Sequence, residues 1–137
     1  MEQRFILRLA GIDDIPSIME IEQICFDKDS FSKRQFVYLI SQAKGYFCVA
    51  EYQQRVGGYF SVLINQRACS LRIYSIAVHP DFRGKKVGQL LIDQIAVIAQ
   101  KQGLKRITLE VNVSNSPAIH LYEKNGFVFR DFIVIEA

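Results

Sequence analysis

No stretch of this 137-residue chain is apolar for long enough to cross a bilayer, so no membrane partner is expected. The opening residues, Met1-Glu2-Gln3-Arg4, lack the apolar block of a secretory leader. Cysteine is scarce. Cys25, Cys48 and Cys69 are odd in number, widely spaced, and form no Cys-x-x-Cys pair. That argues against a disulfide framework or a zinc site and fits reduced thiols in a cytoplasmic protein; no metal is expected. Each cysteine stands among apolar residues, so packing is its expected role. A strong excess of one charge is also missing: the net charge is +3, with acids interspersed throughout. This suits an anionic ligand and is too mild to argue for nucleic acid. No repeat, linker or low-complexity tract divides the chain, which reads as one domain over residues 1–137.

What is present centres on Ile73 to Gly103. An apolar, β-branched run from Ile73 to Val78 predicts a buried strand. A turn with Pro80, Arg83, Gly84, Lys85 and Lys86 follows. Then Val87, Leu90, Leu91, Ile95, Ile98 and Ala99 fall on one helical stripe. The first amides of a helix lack internal partners and lie at the positive end of its dipole, so strand, basic turn and helix start together suggest an anion site. The pattern is neither a Walker loop nor a dinucleotide fingerprint, since Gly-Lys-Ser/Thr and Gly-x-Gly-x-x-Gly are both absent. It also fits a plain strand-to-helix connection with solvated lysines.

The rest of the chain reads as follows. Phe5 to Leu9 is a first strand. Asp13 or Asp14 caps a helix that has Pro16 in its first turn and reaches about Phe26. Ser32 caps a second helix. Strands Tyr46 to Ala50 and Val56 to Ile64 form a hairpin about Gln53-Gln54-Arg55, and Gly57-Gly58 predicts a bulge or a close backbone approach. Arg106 to Val113 alternates apolar and polar, a strand with one polar face. Ser116, as N-cap, opens a short helix with Pro117 at its first position; Asn125-Gly126 closes it, and Phe127 to Ile135 is a final strand. The expected architecture is α/β: a mostly antiparallel sheet with a parallel central pair, built by the crossover helix, and helices on both faces. A last strand left as an open edge would invite a second copy, so a homodimer is a further expectation.

Two signatures carry a resemblance. Arg83-Gly-Lys-Lys-Val-Gly88 is similar to the acyl-coenzyme A motif Arg/Gln-x-x-Gly-x-Gly/Ala of the GCN5-related N-acetyltransferase (GNAT) family. Asn115-Ser-Pro-Ala-Ile-His-Leu-Tyr122-Glu-Lys-Asn-Gly-Phe127 resembles that family's closing segment, Asn-x-x-Ala-Ile-x-Leu-Tyr-x-x-x-Gly-Phe. The order of elements matches end to end, and Ile21 to Phe26 together with the layout looks most like the ribosomal-protein alanine N-acetyltransferase (RimI-like) branch. Lys86 departs from the pattern, standing where the loop's first glycine would be.

The resemblance implies transfer of an acetyl group from acetyl-coenzyme A to a primary amine. A protein N-terminal amine comes ahead of a lysine side chain or a small amine, and a non-catalytic acyl-coenzyme A binding protein of the same fold is the alternative. Ile76, Ala77 and Val78 would pair their backbone with the pantetheine arm, with a backbone N–H near Val78 meeting the oxyanion. Arg83, Gly84, Lys85, Lys86, Val87, Gly88 and Gln89 would cradle the pyrophosphate, and Asn115 would also bind the cofactor. Glu110, on the polar face beside Thr108 and Asn112, is the candidate base, directly or through water, and the resemblance places the base there too. Tyr122 is the candidate acid for the leaving thiolate; a phenol ordinarily near pKa 10 suits a thiol of about 8.5. A solvated strand carboxylate and a core aromatic are the plain alternatives for these two. His79 and His120 are expected to be surface residues. Asp27 and Asp29 would flank the acceptor cleft, where they would attract a cationic substrate or simply stand solvated.

Overall fold

The computed structural model describes residues 4–26, 30–111, 115–129 and 133–136. The elements are β1 (Ile6–Leu9), α1 (Ile15–Phe26), α2 (Lys33–Ser41), β2 (Gly45–Tyr52), β3 (Arg55–Asn65), β4 (Ser70–Val78), α3 (Val87–Lys101), β5 (Arg106–Leu109), α4 (Ser116–Lys124), β6 (Val128–Phe129) and β7 (Ile133–Glu136). The strands form one sheet in the order β1-β2-β3-β4-β5-β7-β6. Its β4–β5 pair is parallel and the others are antiparallel, as the crossover through α3 requires.

Helices cover both faces because β3 alternates. Phe60 and Val62 point to α3, where Leu91, Ile95 and Ala99 complete one core. Tyr59 points the other way, against Ile18, Ile21 and Phe36 of α1 and α2. Stacked and edge-on contacts among Phe36, Phe47 and Tyr59 fill the second core, with ring centroids 5.7–5.9 Å apart. Ser32 caps α2 as expected: its hydroxyl accepts from the Gln35 N–H while the Gln35 side chain returns to the Ser32 N–H. The β2–β3 hairpin turns on Gln53 and Gln54, both at positive φ, and its register skips Gly57, the expected bulge.

Several expectations change. Asp14 does not cap α1. It closes a short 3-10 turn, Ile12–Asp14, accepting from the Gly11 N–H, and its carboxylate is gripped by Arg8, which holds it below the usual carboxylate range. The N-cap of α4 is Asn115 rather than Ser116; the Asn115 side-chain Oδ1 accepts from the Ala118 N–H, which leaves Ser116 inside the helix. β5 ends at Leu109, although the alternation continues to Val113, because period two reports which face a side chain takes and not whether a neighbouring strand remains to pair with. Asn112 and Val113 lie outside the described residues. The stretch after Phe127 is two strands, with Val128 opposite Val134 and Phe129 opposite Ile133; the charged pair Arg130-Asp131, which interrupts the apolar residues between them, was the available signal. As a result β7 is an inner strand, between β5 and β6. The edge on that side of the sheet is the two-residue strand β6.

At one point β2 and β3 touch more closely than a side chain allows. A Cβ built at Gly45 would stand 1.8 Å from the Val62 carbonyl oxygen. Gly45→Ala must push the start of β2 away from β3. The expected cost is about 3 kcal/mol of unfolding free energy, read from urea denaturation.

Candidate active site

The site begins where two strands part. β5 accompanies β4 only from Ser70 opposite Arg106 to Ile73 opposite Leu109. β4 then runs on to Val78, paired with β3 on one side alone among the described residues. The parting coincides with an irregularity: Ser75 faces Ser61 and Ile73 faces Val62, so Tyr74 has no counterpart in β3. A cavity of about 810 Å³ opens beside the free edge. Ile76, Ala77 and Val78 form one wall, Val87, Gly88 and Gln89 the head of α3, Asn115, Leu121 and Tyr122 the α4 side, and Cys25 and Phe26 the end of α1.

Backbone groups at the edge face the cavity side in alternation. The His79 N–H donates to the Gly57 carbonyl at 2.8 Å, so that residue points towards β3. The Val78 carbonyl accepts from the Cys25 thiol at 3.4 Å, so Val78 points the other way. In an extended strand a residue's N–H and C=O share a side, which turns the Val78 N–H towards the open edge as well.

The connection from β4 to α3 is organised by His79. Its Nδ1 accepts from the Asp81 N–H at 3.1 Å, closing the 3-10 turn Pro80–Phe82, and its ring lies against Phe82. This bond draws the imidazole under the turn, so His79 is buried and the expectation of a surface histidine is corrected. His120 is exposed, as expected. Beyond the turn, Gly84 and Lys86 both take the left-handed region, at φ 78° and 64°. Lys86 thus adopts the backbone that glycine would have there. No side chain caps α3 at its Lys86 N-cap. The first-turn amides therefore have no side-chain cap, and Arg83 and Lys86 line the same wall.

Not every expected contact forms. Lys85 is exposed and lies outside the cavity lining. Gln89 lines the cavity, but its side chain is committed elsewhere, in a reciprocal amide pair with Asn125 at 2.7 and 3.0 Å that ties α3 to α4. The Asn115 side chain is occupied in capping α4. Glu110 follows the last residue of β5, 78% exposed at its side chain, with Arg72 at 3.6 Å, and does not line the cavity. Tyr122 is buried against Phe127, ring centroids 5.6 Å apart, and lines the cavity; burial pushes its phenol above the ordinary range, so it holds its proton at neutral pH. Asp27 and Asp29 lie outside the described residues. Sequence reading missed two residues. Cys25 faces the cavity, its thiol pushed up by burial and partly drawn back by Arg83 at 3.6 Å. Glu22 is fully buried on the apolar stripe of α1. A carboxylate spaced with Ile15, Ile18 and Ile21 was the available signal for the second.

The cleft at the strand splay is where residues of the two signatures, Arg83 to Gly88 and Asn115 to Tyr122, come together. The family model described as Acetyltransferase (GNAT) family covers residues 15–127. The chain belongs to the GNAT family. It is 30% identical over 130 residues to the putative [ribosomal protein bS18]-alanine N-acetyltransferase of Bacillus subtilis (strain 168), covering 92% of this chain and 82% of that protein. The fold superposes on the crystal structure of the ribosomal-protein-S18-alanine N-acetyltransferase from Escherichia coli with a TM-score of 0.84, at 19% identity over 97% of this chain and 94% of that one. The PaiA N-acetyltransferase from Thermoplasma acidophilum, solved in complex with coenzyme A, gives a TM-score of 0.79 at 20% identity, over 97% and 98% of the two chains. The chain is therefore a GNAT acetyltransferase of the RimI-like kind, and its mixed sheet is the GNAT fold. Among the described residues no helix is long and apolar enough to cross a membrane.

Lys86 meets its GNAT position at an energetic cost. The left-handed region penalises a side chain by about 1–2 kcal/mol, part of which glycine returns through the entropy of the unfolded chain. Lys86→Gly is expected to raise the unfolding free energy by roughly 0.5–1 kcal/mol in denaturant titrations.

Proposed function

We propose that the protein moves an acetyl group from acetyl-coenzyme A to the α-amine of a protein N-terminus, with an N-terminal alanine as the first acceptor to test. The observation that carries this reading is the cleft itself: a free β4 edge running into an uncapped α3 beside two cationic side chains. The donor set fits an acylated nucleotide thioester. Unpaired amides and cations suit phosphates, and an exposed strand edge suits an amide-bearing arm. The acceptor class follows from the bacterial relative, which is named for a ribosomal-protein alanine.

Acetyl-coenzyme A, when bound, supplies an acyl group at the activation of a thioester. The chain's own residues do the rest. Ile76 to Val78 offer their edge to the arm, and the first turn of α3, with Arg83 and Lys86, holds the phosphates. The Val78 N–H faces the edge, where it meets negative charge developing on the acyl oxygen. Tyr122 stands in the wall with its phenol protonated and would be the donor to the departing thiolate; burial raises the phenol away from the thiol's own range, so the transfer depends on the two groups being held in contact. Glu110 lies outside the cavity and in water, so its part is to draw the proton from the incoming ammonium through solvent. An α-amine has a pKa of about 8, so the neutral nucleophile is the minor form at pH 7 and a base raises its supply.

The reading is tested by following thiol release with acetyl-coenzyme A and three amines: a peptide beginning with alanine, an N-terminally blocked peptide carrying lysine, and a polyamine. Preference for the first supports it; preference for either of the others moves the acceptor to a side-chain or small amine. For the base, Glu110→Gln is expected to lower kcat on the order of a hundredfold at pH 7 and to leave coenzyme A affinity by calorimetry unchanged. The deficit should narrow towards pH 9, where the α-amine is already neutral. For the acid, Tyr122→Phe preserves the contact with Phe127 and removes the proton. The melting temperature and coenzyme A affinity should hold, while kcat falls on the order of a hundredfold. A Phe variant that turns over like the parent returns Tyr122 to the core.

A further inference from the structure

Glu22 is not what a core needs. Its side chain is fully buried on the inner stripe of α1, and among the described residues no lysine, arginine or histidine pairs with it. Three donors hold the carboxylate instead. Oε1 accepts from the Tyr59 hydroxyl of β3 and, at 3.2 Å, from the Ser75 hydroxyl of β4. Oε2 accepts from the Phe31 N–H at 3.1 Å, and Tyr59 and Ser75 are themselves 2.9 Å apart. An apolar residue of similar volume would fill such a place at lower cost in desolvation, with Tyr59 and Ser75 made apolar to match. The arrangement serves position rather than packing.

What it positions can be read from its partners. Ser75 adjoins Tyr74, the residue without a counterpart in β3, at the point where β4 leaves β5. Phe31 lays its ring on Tyr74, centroids 4.7 Å apart, and the Gln35 side chain donates to the Tyr74 hydroxyl at 3.1 Å. One carboxylate therefore fixes both a backbone amide ahead of α2 and the irregular point of β4, and an aromatic pair stands between them, half-buried. This pair is on the α1–α2 side of the sheet, as is Glu110, whose carboxylate neighbours Arg72 two residues before Tyr74. The cleft read for the cofactor is walled mainly by α3 and α4, with Cys25 and Phe26 reaching it from the end of α1. On that reading the α1–α2 face of the splay is left for the approach of the amine.

We propose that Glu22 is a positioning residue for the acceptor: its carboxylate sets the Phe31–Tyr74 pair at the strand splay, and the leading residues of the acceptor rest on that pair. This rests on the acetyl-transfer reading above. The test is steady-state kinetics with the alanine-ended peptide, and with the blocked lysine peptide as a second probe, on variants first shown to be folded by circular dichroism. Glu22→Leu removes all three acceptor interactions and is expected to raise the acceptor KM about tenfold, the scale of one buried hydrogen bond lost, while the acetyl-coenzyme A KM stays within about twofold. Glu22→Gln can offer its oxygen to the Phe31 N–H and its amide to the two hydroxyls, so it should return the acceptor KM to near the parent's. Should Glu22→Leu not fold, Tyr59→Phe combined with Ser75→Ala replaces it, frees Oε1, and is expected to raise the acceptor KM about threefold. A purely structural role would lower the active fraction, and so the apparent kcat, without separating the two KM values. An unchanged acceptor KM, or both KM values rising together, overturns the clamp and leaves the acetyl-transfer reading standing. A parent that acetylates neither peptide overturns that reading and this proposal with it.

Discussion

Four residue pairs hold β4 against β5, and the working part of the molecule depends on there being no fifth. A parallel pair carried further would satisfy the edge of Ile76 to Val78 and close the cleft. The separation is built into the sheet: Tyr74 is an extra residue in β4, and the added twist of such an irregularity directs the strand away from its neighbour. On one side of the gap lies the head of α3, whose amides have no cap; on the other lies the aromatic pair held by Glu22. Burial on both faces of the sheet fixes where these parts can be, since a slip of one residue in β3 would exchange Tyr59 for Phe60 and empty both cores.

The sequence was most legible where a residue type serves one physical purpose. Pro16, Ser32 and Gly126 mark helix boundaries because fixed φ, a short hydroxyl and a left-handed backbone each suit one place. The crossover through α3 gave the parallel pair, and Arg83 to Gly88 gave the basic turn ahead of the helix. It was less legible where long-range contact decides. Nothing local says that the Gln89 side chain is claimed by Asn125, or that Lys85 turns outward while Lys86 faces the cleft. His79 read as a surface residue because its burial comes from a bond made with its own following turn. Glu110 took its place in the alternation, yet the strand had ended one residue earlier. Glu22 was visible only as a charge on an apolar stripe, a pattern that asks for partners without naming them.

Lys86 joins the two scales. Its backbone obeys the geometry of the loop, in the conformation that glycine adopts freely, and its side chain adds a cation at the cavity wall. Strain of this kind is tolerated where surrounding structure over-determines the conformation. Here the buried turn at His79 and Phe82 precedes it and the packed start of α3 at Val87 follows.

The reciprocal amide pair between Gln89 and Asn125 separates two properties of the cleft that might have moved together. Neither amide carries charge, so the bond that keeps α4 beside α3 is itself indifferent to ionic strength, although the Gln89 amide also donates to the Asp93 carboxylate at 2.8 Å. The contacts expected of Arg83 and Lys86 are screened by salt. In a changing ionic medium the protein would loosen its hold on an anionic ligand without any change in the shape of the place that receives it. Occupancy is then tunable by the solvent, and architecture is not.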